Sequence, residues 1–408
     1  MVEEAFQTSV VGSWPRPEWL LDELRRKNDG EITYDEFSEK ADEAVLLAAK
    51  YQEDAGLDFI TDGEQRRDSF YSFVVDKLDG IKLMTMAELM DYIKDKSRYE
   101  QMLRARDVPA YAIRTPVVVN RITKKRSLAL DELQFLRKHT RKKIKVTLPG
   151  PYMLTRASWI EPLSMKGYDS REALGKEYAR LLREEIIQLR DAGASFIQLD
   201  EPSLTEVVYG DASMQTFMCA VITSKVEPKE ELAFATELIN GAVQGITGVK
   251  TGLHVCRGNW SRKEETLLSG DYAPLVKYFQ QMKVDQFVLE FATPRAGSLS
   301  VLEGLSSGGK ELGLGAVNPR TDVVETPEQI ASRVREAMKY FDPSHIYLNP
   351  DCGFATFAET PLNTPETAYR KLLAMTTASN DLRKSLDWGS PPRPVPQVTS
   401  QGRGMSEG

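Results

Sequence analysis

The chain has 408 residues, 41 % hydrophobic and 28 % charged, a balance ordinary for globular proteins and foreign to disordered or fibrous ones. Its 53 Lys and Arg against 60 Asp and Glu leave a formal net charge of −7, which argues against a nucleic-acid surface as its main business. No run approaches the ~18 apolar residues of a membrane helix, the acidic start does not read as a signal peptide, and three cysteines are too few for a disulfide framework, so the cytoplasm is expected.

Along the chain, short apolar or β-branched runs alternate with polar turns and long amphipathic segments. The first run, 8–13, precedes helical segments near 18–28 and 35–56, and the second is 58–64. Residues 84–108, rich in Met, Lys and Glu, read as one inserted helix. Residues 111–128 read as a β-hairpin turning at Lys124-Lys125-Arg126. The third run, 143–149, leads to a helix around 169–192, and the fourth, 195–200, to one at 228–244. The fifth is 249–256, with helical material near 273–282, and the sixth is 286–291. The seventh and eighth, 311–318 and 345–352, precede helices near 326–340 and 364–383.

Eight strands with intervening helices predict an α/β fold, a single (β/α)8 TIM barrel over residues 1–388. An open doubly wound sheet would carry a glycine-rich phosphate turn after its first strand, and Val11-Gly12-Ser13-Trp14-Pro15-Arg16 is not one. The 84–128 segment falls between strands two and three as an excursion from the barrel. Residues 389–408, rich in Pro, Gly and Ser without periodicity, are expected to be a flexible C-terminal tail.

Functional groups of such barrels gather at the C-terminal ends of the strands. Those ends supply Ser13, Glu64, the Pro149-Gly150-Pro151 turn, Asp200 with Glu201, His254 with Cys256, Glu290, Asn318 and Cys352. His254 and Cys256 are two apart on one strand, so both side chains leave the same face. With Cys352 and Glu290 they offer two thiolates, an imidazole and a carboxylate, a set that suits zinc. Free cysteine also serves as a small buried hydrophobe, but the clustering at one mouth favours metal. Cys219, His139 and His345 lie away from those ends and are expected to be structural. Glu64 and Asp200 suit general bases, metal ligands or anchors for a substrate ammonium group. Arg16, Arg66 and Arg67, in adjacent loops, are candidates for holding a substrate carboxylate.

Taken in order, Gly12-Ser13, Asp62-Gly63-Glu64, Leu148-Pro149-Gly150-Pro151, Ile197-Gln-Leu-Asp-Glu-Pro202, His254-Val-Cys-Arg-Gly-Asn259, Leu289-Glu-Phe291 and Asn349-Pro-Asp-Cys-Gly353 resemble the catalytic domain of cobalamin-independent methionine synthase, from about residue 8 to about 383. The resemblance implies a zinc-dependent barrel that transfers an alkyl group to a thiol. It implies His254, Cys256, Glu290 and Cys352 as zinc ligands, with Glu64 and Asp200 on the amino group of homocysteine and Ser13 near its carboxylate. The sequence departs from that family in lacking an N-terminal folate-binding barrel, and in carrying Ala157, with Trp159 two places on, where an indole is expected against the pterin. Both departures favour methylcobalamin or a corrinoid protein over methyltetrahydrofolate as methyl donor. The chain also looks like the short core methionine synthases and is similar to epoxyalkane:coenzyme M transferases.

Thiolate population alone does not explain such catalysis, because ionising a thiol of pKa ~8.5 at pH 7 is worth only about 2 kcal/mol. Holding thiolate and donor in line supplies up to ~7–11 kcal/mol. Three readings compete with homocysteine methylation. An epoxide-opening coenzyme M transferase would need a cationic sulfonate pocket in place of Glu64 and Asp200. A structural-zinc binding module would need four strong ligands. A metal-free decarboxylase would not need the paired cysteines.

Overall fold

The computed structural model describes residues 5–92, 96–105, 114–210 and 227–387. In chain order its strands are β1 (Phe59–Ile60), β2 (Leu78–Thr85), β3 (Arg114–Lys124), β4 (Lys143–Pro149), β5 (Phe196–Asp200), β6 (Lys250–Val255), β7 (Gln286–Glu290), β8 (Glu311–Val317) and β9 (Ile346–Pro350). Seven of them form one parallel sheet in the order β1-β4-β5-β6-β7-β8-β9. Strands β5, β7 and β9 are buried at every position, as expected when both faces of a parallel sheet are covered.

Helices cover the outer face. Arg171–Asp191 buries Leu174, Tyr178, Leu181, Leu182, Ile186 and Leu189 at helical spacing. Thr33 and Thr326 open the helices Tyr34–Asp54 and Pro327–Ala337 with reciprocal capping boxes. The inner face carries its own apolar layer of Val11, Phe59, Phe196, Val288 and Tyr347, so the sheet is curled around packed side chains. The two edge strands meet one segment: Leu348 N donates to Gln7 O at 2.8 Å and Ser9 N to Leu348 O at 3.0 Å, while Phe59 N donates to Thr8 O at 3.0 Å.

Three expectations need correction. The run 8–13 forms no strand beyond a single bridge at Thr8, because the carbonyls of Val10, Val11 and Gly12 accept from the side chains of Lys145, Gln198 and Thr61 instead of a neighbouring strand. Residues 111–128 are not a hairpin. Arg114–Lys124 is one continuous strand whose antiparallel partner is Leu78–Thr85, and Lys125 and Arg126 donate their backbone N–H groups to Lys77 O instead of closing a turn. Nor is 84–108 one helix: Thr85 caps a short helix, Met86–Leu89, and a second runs from Lys96 to Ala105. The 389–408 tail and Cys219 lie outside the described residues. Among the described residues, no helix is long and apolar enough to cross a membrane.

Candidate active site

A cavity of about 420 Å³ opens at the C-terminal ends of the strands. Six residues singled out from sequence line it: Ser13, Glu64, Asp200, His254, Cys256 and Cys352. Val11, Phe70, Pro202, Asn259, Gly353 and Thr356 complete the wall.

Glu64 follows the short β1 with φ +55°, in the left-handed region that costs a non-glycine residue energy and recurs at functional sites. Its Oε1 accepts from Thr147 Oγ1 at 2.7 Å, with Arg67 Nη1 3.8 Å away, while the buried Oε2 has no hydrogen-bond partner. Asp200 ends β5 and accepts from Gln198 Nε2 at 2.7 Å. Burial pushes the Asp200 carboxyl up to about 7, the nearby charge of Glu64 adds to this, and His254 opposes it. Ser13 Oγ accepts from Ala355 N at 3.3 Å, which ties the first loop to the last. Glu201, next to Asp200, faces away from the cavity and accepts from Tyr152 N and Met153 N at the start of a helix, each at 2.8 Å.

His254, Cys256 and Cys352 are all buried, and their ligand atoms lie within 4.8 Å of one another. His254 Nδ1 faces the Val288 carbonyl at 3.1 Å, so that nitrogen carries the proton. The other nitrogen, Nε2, is buried with no hydrogen-bond partner. An imidazole oriented by a backbone carbonyl, its free lone pair beside two sulfurs, fits a metal ion of the zinc type. A hydrogen bond from Cys352 and the His254 ring hold the Cys256 thiol well below its ordinary range, and the same pairing raises Cys352.

Glu290 is not in this group. Its carboxylate is turned to Arg320, Arg295 and Arg257. Arg66 is also elsewhere: its guanidinium bonds Ser38 and Asp42 and lies over the Phe135 ring, on the outer side of the loop. Arg67 and Arg16 are committed too, Arg67 to Glu132 and Thr147, and Arg16 to the carbonyls of Ala355 and Glu64. None of the three lines the cavity, although Arg16 Nε and Arg66 Nη1 are buried without a hydrogen-bond partner. His139 and His345 lie outside the cavity, as expected. Sequence reasoning missed Thr147 and Asn259; the second lay within the quoted His254–Asn259 motif, where it donates to Gly353 O and Thr356 Oγ1 at 2.7 Å each.

A buried imidazole and two thiols beside paired carboxylates, at the strand ends of a curled parallel sheet, define a group-transfer enzyme with a metal-ready centre. The family model described as cobalamin-independent synthase, catalytic domain, matches residues 6–378. The chain belongs to that family and is, with it, a methyltransferase. It is 30 % identical over 381 residues to a methionine synthase of Pyrococcus abyssi, covering 93 % of this chain and 94 % of the relative. A methionine synthase of Thermococcus kodakarensis is 30 % identical over 380 residues, covering the same shares. The structure of a B12-independent methionine synthase from Shewanella sp. W3-18-1 in complex with selenomethionine superimposes with a TM-score of 0.71 at 25 % identity, covering 94 % of this chain and 99 % of that one.

Proposed function

We propose that this chain transfers a methyl group to the thiol of homocysteine, giving methionine. In this reading zinc is held by His254, Cys256 and Cys352, with Glu290 as an exchangeable fourth ligand, and the Gln7–Ser9 segment serves as the eighth strand closing the barrel. The observation that carries it is the unpartnered, buried Nε2 of His254 beside two thiols, in one cavity with Glu64 and Asp200. Bound zinc supplies a Lewis acid that keeps the acceptor sulfur deprotonated near neutral pH. The chain's own groups do the positioning. Glu64, with one oxygen unpaired, and Asp200 grip the ammonium group, and Ser13 lies beside the carboxylate. Fixing the amino acid by its polar end leaves its side-chain sulfur to reach the metal group.

Two features bear on the donor, in opposite directions. The cobalamin-independent description of the family counts against the corrinoid expected from sequence. Trp159, two places on from Ala157, is only 8 % exposed and so offers little open face for stacking. The deciding experiment is one panel: zinc-loaded protein with homocysteine or coenzyme M, against methyltetrahydrofolate with one or several glutamates, methylcobalamin and an epoxide. Methionine formed from homocysteine with either methyl donor supports the reading and names the donor. A thioether formed only from coenzyme M and the epoxide overturns it.

A further inference from the structure

Glu290 sits in a cage of guanidinium groups. Arg320 Nη1 donates to its Oε1 at 3.1 Å, and Arg257 Nη1 and Arg295 Nη2 each lie 3.5 Å from its Oε2. Arg320 reaches further, donating from Nη2 to Asp351 Oδ2 at 2.8 Å and from Nε to Glu264 Oε1 at 2.9 Å. The other oxygen of Asp351 accepts from the backbone N–H groups of Phe291 and Ala292, both at 2.9 Å. The residue just before Cys352 therefore fixes both the chain that follows Glu290 and the guanidinium that grips it. Three carboxylates face three guanidiniums, with Glu290 and Asp351 buried and the half-buried Glu264 on the solvent side.

An ion network whose only task was to brace loops would be served by the Arg320 contacts to Asp351 and Glu264. It would not require the buried Glu290 carboxylate to face three cations. A carboxylate that leaves a metal inside a buried site must find another partner, because an unpaired buried charge is strongly unfavourable. A planar guanidinium fork is the side chain best suited to receive it.

We propose that Arg320 is a positioning residue that gives the Glu290 carboxylate a second seat, off the metal, so that the fourth coordination position opens to an incoming thiol. The proposal rests on the reading of His254, Cys256 and Cys352 as zinc ligands with Glu290 exchangeable.

The test is zinc release to a chelator from the zinc-loaded wild type, Arg320→Met, Arg320→Lys, Glu290→Gln and the Arg320→Met/Glu290→Gln double variant, with no substrate present. Without the one guanidinium that hydrogen-bonds it, and with only the more distant Arg257 and Arg295 left, Glu290 should stay on the metal longer, so Arg320→Met should release zinc ~10-fold more slowly, the scale on which groups behind metal ligands act. Arg320→Lys keeps the charge facing Asp351, guards against misfolding, and should shift release in the same direction by less. In the Glu290→Gln background the Arg320 effect should vanish, because it acts only through that carboxylate. Release from Arg320→Lys that is unchanged or faster, or an Arg320 effect that survives in Glu290→Gln, overturns the proposal. If wild type holds no zinc, or Cys256→Ser holds as much as wild type, the ligand assignment itself fails and the proposal falls with it.

Discussion

The Glu64 carboxylate occupies the space that any side chain on Gly12 would need: a Cβ built there lies 2.3 Å from Glu64 Oε1. The loop after the N-terminal segment and the loop after β1 therefore meet backbone to carboxylate, and the absence of a side chain at position 12 sets where the acid sits. Gly12→Ala should displace Glu64 from Thr147 at a cost of ~1–3 kcal/mol, the usual range for overpacking. Homocysteine binding, followed by calorimetry, should weaken more than thermal stability falls. Unchanged affinity would remove Glu64 from the acceptor site.

The metal group gives a stoichiometric expectation. Purified protein should carry about one zinc per chain, since a single His/Cys/Cys group occurs among the described residues. Cys256→Ser and Cys352→Ser should lose metal and activity together, whereas Cys219→Ser should keep both. Metal analysis of the three variants checks this, and loss from Cys219→Ser would move the site.

If Glu64 and Asp200 hold an ammonium group, the same thiol without its amine should bind less well. Losing a charged hydrogen-bond partner typically costs ~1.5–3 kcal/mol, or roughly ten- to a hundredfold in affinity. Glu64→Gln should reproduce much of that loss. Equal affinity for homocysteine and coenzyme M contradicts the ammonium site.

The acid near the thiols sets a pH dependence. Only ionised Asp200 attracts an ammonium group, and burial has pushed its carboxyl up to about 7. The ammonium-dependent part of binding should therefore be present above pH 7 and lost as pH falls through it. Methionine is the better probe, because it carries the amine without a titrating thiol. Its affinity should rise with pH across that window in the wild type and stay flat in Asp200→Asn.

Strands β4 to β9 were legible because each is a short apolar run closed by polar residues, and His254, Cys256 and Cys352 because strand ends converge at one mouth. The inserted sheet was not, since β2 and β3 pair across some thirty intervening residues and no local pattern announces a distant partner. Arg66 and Arg67 show a second limit. They are adjacent and chemically identical, yet the left-handed turn at Glu64 sends one outward to Asp42 and the other inward beneath the carboxylate. The arginine cage was hidden for a related reason, because its members follow three different strands and each alone reads as a surface charge.

Val11, in the cavity wall, belongs to the packed layer of Phe59, Phe196, Val288 and Tyr347 that closes the floor below the strand ends. Whatever reacts at the thiols must arrive and depart on the side away from that floor, through the same rim. An acceptor anchored deep on Glu64 and Asp200 would then be covered by whatever donor follows it, and the methylated product could not leave until the spent donor had moved aside. With the acceptor so anchored, the expected order is acceptor before donor and spent donor out before product, which steady-state inhibition patterns can read directly.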